Sequence, residues 1–213
     1  MLKIENLCFS YQFRPLIRNL SFEINKGELC HVIGPNGCGK TTLISIIAGL
    51  LSPNTGSISW QTKSDGITKG LAEVIEYLPS EANSLYAKMD ATTNLRFWAQ
   101  LRGMTITTPE IFAELEKWDL NHPLVRENFA TEKFSTGMKR RLALARVALS
   151  KTPFWLMDEP LYGLDTKGIE TFQHMLKKHL NEGGACLVVS HDVAPLAPLK
   201  PKKIYMTKEQ ETK

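Results

Sequence analysis

A chain of 213 residues with 43% hydrophobic and 23% charged side chains can bury a substantial core and reads as one domain with room for a subdomain. Its formal charge of +4 is too mild to argue for a nucleic-acid partner, and four scattered cysteines (Cys8, Cys30, Cys38, Cys186), with no C-x-x-C pair, argue against metal or disulfide frameworks and for a reducing compartment. No run approaches the ~20 apolar residues of a membrane helix and no signal-peptide pattern opens the chain, so any membrane role is expected to be borrowed from a partner.

Residues 1–28 predict β structure. Leu2, Ile4, Leu7 and Phe9 largely alternate, residues 19–24 alternate strictly, and Asn25-Lys26-Gly27 makes a turn. The stretch 29–50 then reads as a buried strand (residues 29–33), a glycine-rich turn (Gly34-Pro35-Asn36-Gly37-Cys38-Gly39) and Lys40-Thr41-Thr42 opening an apolar helix. This is G-x-x-x-x-G-K-[ST] with a strand before it and a helix after it, the context that the motif requires. Glycines let successive N–H groups turn inward around a polyphosphate, and the helix N-terminus adds the positive end of its dipole. Lys40 is expected to reach the outer phosphates, and the Thr41 hydroxyl to join a Mg²⁺ shell otherwise made of phosphate oxygens and water. The chain is therefore expected to bind a nucleoside triphosphate. Tyr11, otherwise a half-exposed turn aromatic, becomes a candidate for adenine stacking, worth roughly 1–3 kcal/mol, with Phe13 in reserve. Cys38 lies at a helix N-terminus beside Lys40, which favours thiolate; alkylation there is expected to block ATP binding and ATP to protect it.

After a break at residues 52–56, Ser57-Ile58-Ser59-Trp60 returns to a strand, 61–72 reads as a polar surface loop, and 74–78 as a buried strand ending at Pro79-Ser80-Glu81. From Ala87 to about Ser150 the pattern is helical: 94–102, with Leu95, Trp98, Ala99 and Arg102 at helical spacing; a helix carrying Ile111, Leu115 and Trp118; and 139–150. Before the third helix, Phe134-Ser135-Thr136-Gly137-Met138 combines a serine hydroxyl, free N–H groups and a basic cluster (Lys139, Arg140, Arg141), all attractive to phosphate. On its own this is equally an N-capped helix with a solvated basic face. Residues 154–158 form an apolar strand ending in two carboxylates, where Asp158 is placed to face a Mg²⁺ ion and Glu159 to polarise an attacking water. General-base assistance of this kind contributes about 10²–10⁴-fold. A strand is expected at 185–189, before Ser190-His191-Asp192, and a short one at 203–206, before a frayed Lys- and Pro-rich tail.

These motifs together resemble the ATP-binding subunit of ABC transporters across nearly the whole chain. Ser135-Thr136-Gly137-Met138 stands where that family has its signature Ser-Gly-Gly-Gln, Asp158-Glu159-Pro160 follows, Tyr162-Gly163-Leu164-Asp165 resembles the loop ending in Leu-Asp that communicates between protomers, and His191 resembles the switch histidine. The resemblance implies an α/β fold: a P-loop NTPase core of the ABC ATPase type, with an N-terminal antiparallel β subdomain and an α-helical lobe inserted at approximately 84–150 of a single domain spanning 1–213. It implies ATP and Mg²⁺, with His191 at the γ-phosphate and Ser135 and Gly137 completing the ATP site of a second protomer, most simply a homodimer. It also implies membrane-spanning partner subunits at the cytoplasmic face of the inner membrane, with Phe97, Trp98 and residues 80–90 near the docking groove.

Two departures stand out. The glutamine usual after the strand that Tyr77-Leu78-Pro79 resembles is replaced by Ser80 then Glu81, leaving open whether Glu81 stands in or the loop takes another register. Thr136 and Met138 replace glycine and glutamine in the signature, so a modest, partner-dependent ATPase is expected. Residues 94–98, 137–146 and 154–160 are further similar to the cytochrome c maturation (haem exporter) ATPases. The alternative is a regulatory or soluble nucleotide-binding module that drives no transport.

Overall fold

A computed structural model describes residues 1–12, 14–60, 71–80 and 84–207. Phe13, Glu81, most of the predicted 61–72 loop and the end of the tail lie outside the described residues.

The N-terminal strands β1 (Leu2–Tyr11) and β2 (Arg14–Ile24) pair antiparallel, and β4 (Thr55–Trp60) joins the other side of β1 to give the order β2-β1-β4. Leu2, Ile4, Leu7 and Phe9 are all buried, although the step from Ile4 to Leu7 breaks the two-residue period. A register shift between Ile4 and Leu7, with Asn6 left-handed (φ 48), absorbs the extra residue and returns Leu7 to the core face. The bulge has a steric requirement across the pair: a Cβ at Gly56 (φ +92) would lie 2.6 Å from the carbonyl oxygens of Glu5 and Asn6.

The second sheet has the order β5-β6-β7-β3-β8, from β3 (Leu29–Ile33), β5 (Ile75–Leu78), β6 (Phe154–Asp158), β7 (Ala185–Val189) and β8 (Lys202–Tyr205). The ladders β6–β7, β7–β3 and β3–β8 are parallel. β6 and β7 are buried at every position, which explains why they read as continuous apolar runs rather than alternating ones. Helix α1 (Lys40–Ile47) packs Leu43, Ile44 and Ile47 into one core with the inner faces of both sheets, where Trp60 meets Phe154 at 5.7 Å between ring centroids. The short helix α2 (Leu71–Val74) takes the position where the predicted strand was to begin, so β5 starts at Ile75.

The chain divides into two compact units: residues 1–77, 152–159 and 177–213, and residues 78–151 and 160–176. The second holds α3 (Ala91–Leu101), α4 (Thr108–Lys117), α5 (Pro123–Arg126), α6 (Thr136–Leu149) and most of α7 (Thr166–Asn181), whose last turn falls in the first. Their starts are set by side-chain caps: Asp90 accepts from the Thr93 N–H, Thr107 and Glu110 form a reciprocal capping box, and Ser135 accepts from the Met138 N–H. These caps explain why α3 and α6 begin three residues before the predicted 94 and 139. Helix α7 has no counterpart in the sequence reading, although Phe172 and Leu176 are fully buried at helical spacing.

Candidate active site

Three buried strands of the parallel sheet deliver the candidate groups at their C-terminal ends, where open α/β sheets bind ligands: β3 into the glycine-rich turn, β6 into Asp158-Glu159, and β7 into Ser190-His191.

The turn after β3 is drawn around its own lysine. Lys40 is almost fully buried, and its Nζ donates to the carbonyls of Gly34 (2.7 Å) and Pro35 (3.1 Å). Gly37 (φ 79) and Gly39 (φ 101) take the left-handed turns that other residues avoid. Gly34 is required for a different reason: a Cβ there would lie 2.3 Å from the Met206 carbonyl oxygen and 2.7 Å from Cys38 Sγ. Pro35, Asn36, Gly37 and Thr41 are exposed, whereas Thr42 is buried. Gly39 places no side chain on the α1 N-terminus and no acidic residue occupies the first turn, so neither a cap nor a first-turn carboxylate of the helix itself offsets its positive end.

Cys38 departs from expectation. Its side chain is 1% exposed and belongs to the hydrophobic core, and its N–H donates to the Pro35 carbonyl (3.3 Å). The loop turns its thiol inward beneath Gly34, so the side chain is not open to alkylation as the sequence predicts.

Asp158 is 2% exposed at the end of β6, level with Val189 of β7. Burial, and then the charge of Asp158, push the Tyr77 hydroxyl up to about 12, so the phenol stays protonated beside that carboxylate. Glu159 follows in the left-handed region (φ 46), uncommon for a residue with a Cβ, with its N–H bonded to the Val189 carbonyl (2.8 Å). The turned backbone brings its carboxylate to the end of β7. Ser190 Oγ donates to Oε2 (3.1 Å), the His191 N–H donates to Oε1 (3.2 Å) and Oε2 (3.3 Å), and His191 Nε2 lies 3.4 Å from Oε1. Glu159 and His191 thus meet directly at the ends of neighbouring strands. Beneath them, the fully buried His31 reaches the Ser190 carbonyl through Nε2 at 2.9 Å, a contact that the sequence reading did not anticipate.

Among the described residues no group of three or more His, Cys, Asp or Glu side chains could hold a metal alone. Thr41 and Asp158 offer only oxygen, a donor set that suits a hard divalent cation sharing its remaining positions with phosphate and water. Tyr11, at the end of β1, is 54% exposed and pairs with Phe9 in a T-shaped arrangement at 4.9 Å between ring centroids.

In the second unit, Ser135 caps α6 and Gly137 lies close under the next loop, where an added Cβ would sit 3.0 Å from the Gly163 carbonyl oxygen. The basic cluster after it is occupied internally. Lys139 Nζ bonds the Glu132 carbonyl (3.2 Å), Arg140 is buried and bonds the carbonyls of Pro79 (3.0 Å) and Ser80, and Arg141 grips both oxygens of Asp165 (2.7 Å each). The serine hydroxyl and the helix N-terminus remain as the phosphate-attracting parts. Trp98 is core, with Arg146 over its ring at 5.9 Å, and Phe97 is half-buried, edge-on to Tyr86 at 4.8 Å.

The family model described as ABC transporter matches residues 17–162. The chain is 36% identical over 192 residues to the cytochrome c biogenesis ATP-binding export protein CcmA of Vibrio cholerae serotype O1, covering 90% of this chain and 91% of that protein. It is 32% identical to the protein of the same name from Haemophilus influenzae, covering 93% and 92%. Among solved structures it resembles the ATP-binding cassette MJ0796, seen as a dimer in a post-hydrolysis state with ADP and Pi, with a TM-score of 0.82 at 24% identity over 99% of this chain and 97% of that one.

Proposed function

The chain belongs to the ABC transporter family as an ATP-binding, ATP-hydrolysing cassette, and from that premise we propose that it powers a membrane complex serving cytochrome c biogenesis, the task in the names of its curated relatives. In this reading it attaches through membrane-spanning partner subunits, with the cassette at the cytoplasmic face of the inner membrane; among the described residues no helix is long and apolar enough to cross a membrane itself.

In this proposal the backbone N–H groups of residues 34–39 and the α1 N-terminus hold the phosphates of ATP, Lys40 exchanges its loop carbonyls for the outer phosphates, and Tyr11 stacks on adenine. Thr41 and Asp158 hold Mg²⁺, which when bound offsets phosphate charge. Glu159 takes the proton of the attacking water, and His191 orients that carboxylate while facing the γ-phosphate. Ser135 and Gly137 present the N-terminus of α6 to the ATP of a second copy, so that a γ-phosphate shared between two positive helix ends draws the protomers together and its loss releases them. A lone protomer is then a weak ATPase.

The observation that carries this is the Glu159 carboxylate, held by Ser190 and His191 at the ends of neighbouring strands that also carry Asp158. The test is Glu159→Gln in the full chain with its membrane partners: ATP binding persists, ATP-dependent dimers live longer and turnover collapses by about 10²-fold or more. Undiminished turnover would remove Glu159 from the chemistry.

A further inference from the structure

His31 lies in the interior of β3, in register with Val188 of β7 and Lys203 of β8, and is fully buried. The β3–β7 ladder ends at the pair Val32–Val189. One residue beyond it, the Ser190 carbonyl is met by the His31 ring, Nε2 to oxygen 2.9 Å. A carbonyl only accepts, so Nε2 carries the proton and the neutral ring leaves Nδ1 bare. That atom is buried with no hydrogen-bond partner among the described residues. Burial lowers the pKa of the ring, which keeps it neutral. As filler, an imidazole with an orphaned nitrogen is inferior to an aliphatic side chain of similar size. What it adds is the donor on Ser190.

That donor acts on a rigid body. The carbonyl of Ser190 and the N–H of His191 belong to one planar peptide group, pointing in opposite directions. His31 holds the oxygen end, and the N–H end bonds both oxygens of Glu159 (3.2 and 3.3 Å). The same residue supplies Ser190 Oγ to Glu159 Oε2 (3.1 Å), and that hydroxyl in turn accepts from the Asp192 N–H (3.2 Å). We infer that His31 is a positioning residue for ATP hydrolysis: by fixing the 190–191 peptide at its carbonyl, it aims the opposite N–H and the Ser190 hydroxyl at Glu159. This rests on Glu159 acting as the base.

The experiment is single-turnover hydrolysis of ATP by the full chain, with KM for ATP and nucleotide affinity measured alongside, for wild type, His31→Leu, His31→Gln, Glu159→Gln and the double variant His31→Leu/Glu159→Gln. His31→Leu lowers kcat roughly tenfold with KM and ATP affinity within about twofold, and His31→Gln, whose amide nitrogen falls near the Nε2 position, recovers most of the loss. In the Glu159→Gln background, His31→Leu costs no further rate, because its effect passes through the carboxylate. A wild-type kcat for His31→Leu, an equal loss in both backgrounds, or a loss carried by ATP affinity would overturn the inference. If Glu159→Gln itself turns over normally, the assignment of the base fails instead. Should the His31 variants not fold, ring ¹⁵N spectra of the wild type decide: a protonated Nε2 and bare Nδ1 are expected, and the opposite tautomer ends the proposal.

Discussion

The imidazole of His179 lies flat on the indole of Trp155, 3.6 Å between ring centroids and 6° from parallel. The stack joins the end of α7 to the middle of β6, and His179 Nε2 completes it with a hydrogen bond to the Ala185 carbonyl at the start of β7 (3.2 Å).

Burial of this ring makes stability pH-dependent. Burial lowers the pKa of His179 from its ordinary 6.5, against the smaller opposing effects of the Ala185 carbonyl and the Glu182 charge. His31 is lowered by burial in the same way, with the Ser190 carbonyl opposing. Below pH 6.5 the unfolded chain takes up protons that the folded chain refuses, so these groups' contribution is complete above 6.5 and falls away as the pH drops toward their folded values. Each contributes a slope of up to about 1.4 kcal/mol per pH unit within that window. Urea unfolding at pH 7.5 and 5.5 should show the loss, and His179→Gln should reduce it.

Gly184 is closed to any side chain by the same ring. An added Cβ would meet His179 Cε1 at 2.2 Å and Nε2 at 2.3 Å, and the ring cannot retreat from Trp155. Gly184→Ala should destabilise by about 1–3 kcal/mol, read as a lower urea midpoint at unchanged slope.

Thiol labelling should separate the four cysteines. Cys30, Cys38 and Cys186 are buried and Cys8 is partly exposed. Burial pushes the Cys30 thiol up to about 12 and Cys186 well above its usual range, whereas hydrogen bonds from Thr55 and Asn19 lower Cys8. Iodoacetamide should modify Cys8 first and reach Cys38 only as the protein unfolds, with ATP making no difference while it stays folded. Rapid labelling of Cys38 in native protein, read by peptide mass, would contradict the inward turn of its thiol.

Arg141 fastens α6 to the loop before α7. Both oxygens of Asp165 accept from its Nη2 at 2.7 Å, its Nη1 reaches the Trp118 carbonyl (3.2 Å), and Asp165 Oδ1 also accepts the Gly168 N–H (2.8 Å). Arg141→Lys keeps the charge and loses the fork. With Asp165 well exposed, the expected loss of global stability is about 1 kcal/mol or less. Hydrogen exchange at Gly168 should accelerate well beyond that, and unchanged exchange would show that the fork does not hold the loop.

What could be read in advance was whatever the chain carries locally. The strand, glycine turn and helix around Gly34–Lys40 follow from spacing, and so does the carboxylate pair ending β6. The broken alternation between Ile4 and Leu7 was visible, but only the observed register shift turns it into a bulge. Helix α7 carries Phe172 and Leu176 at helical spacing, a mark that the sequence reading does not use. The inward thiol of Cys38, the internal occupation of Arg140 and Arg141, and the reach of His31 to Ser190 depend on how distant segments meet. A lone histidine in an apolar run carries no local mark of what it touches.

The glycine turn leans on a segment encoded far downstream. Met206 donates its N–H to Ile33 (2.8 Å) and presses its carbonyl against Gly34, while β8 supplies one whole flank of β3. On the ribosome, β3 and its turn emerge long before that buttress exists. During synthesis, then, the turn after β3 lacks this backing until β8 has emerged.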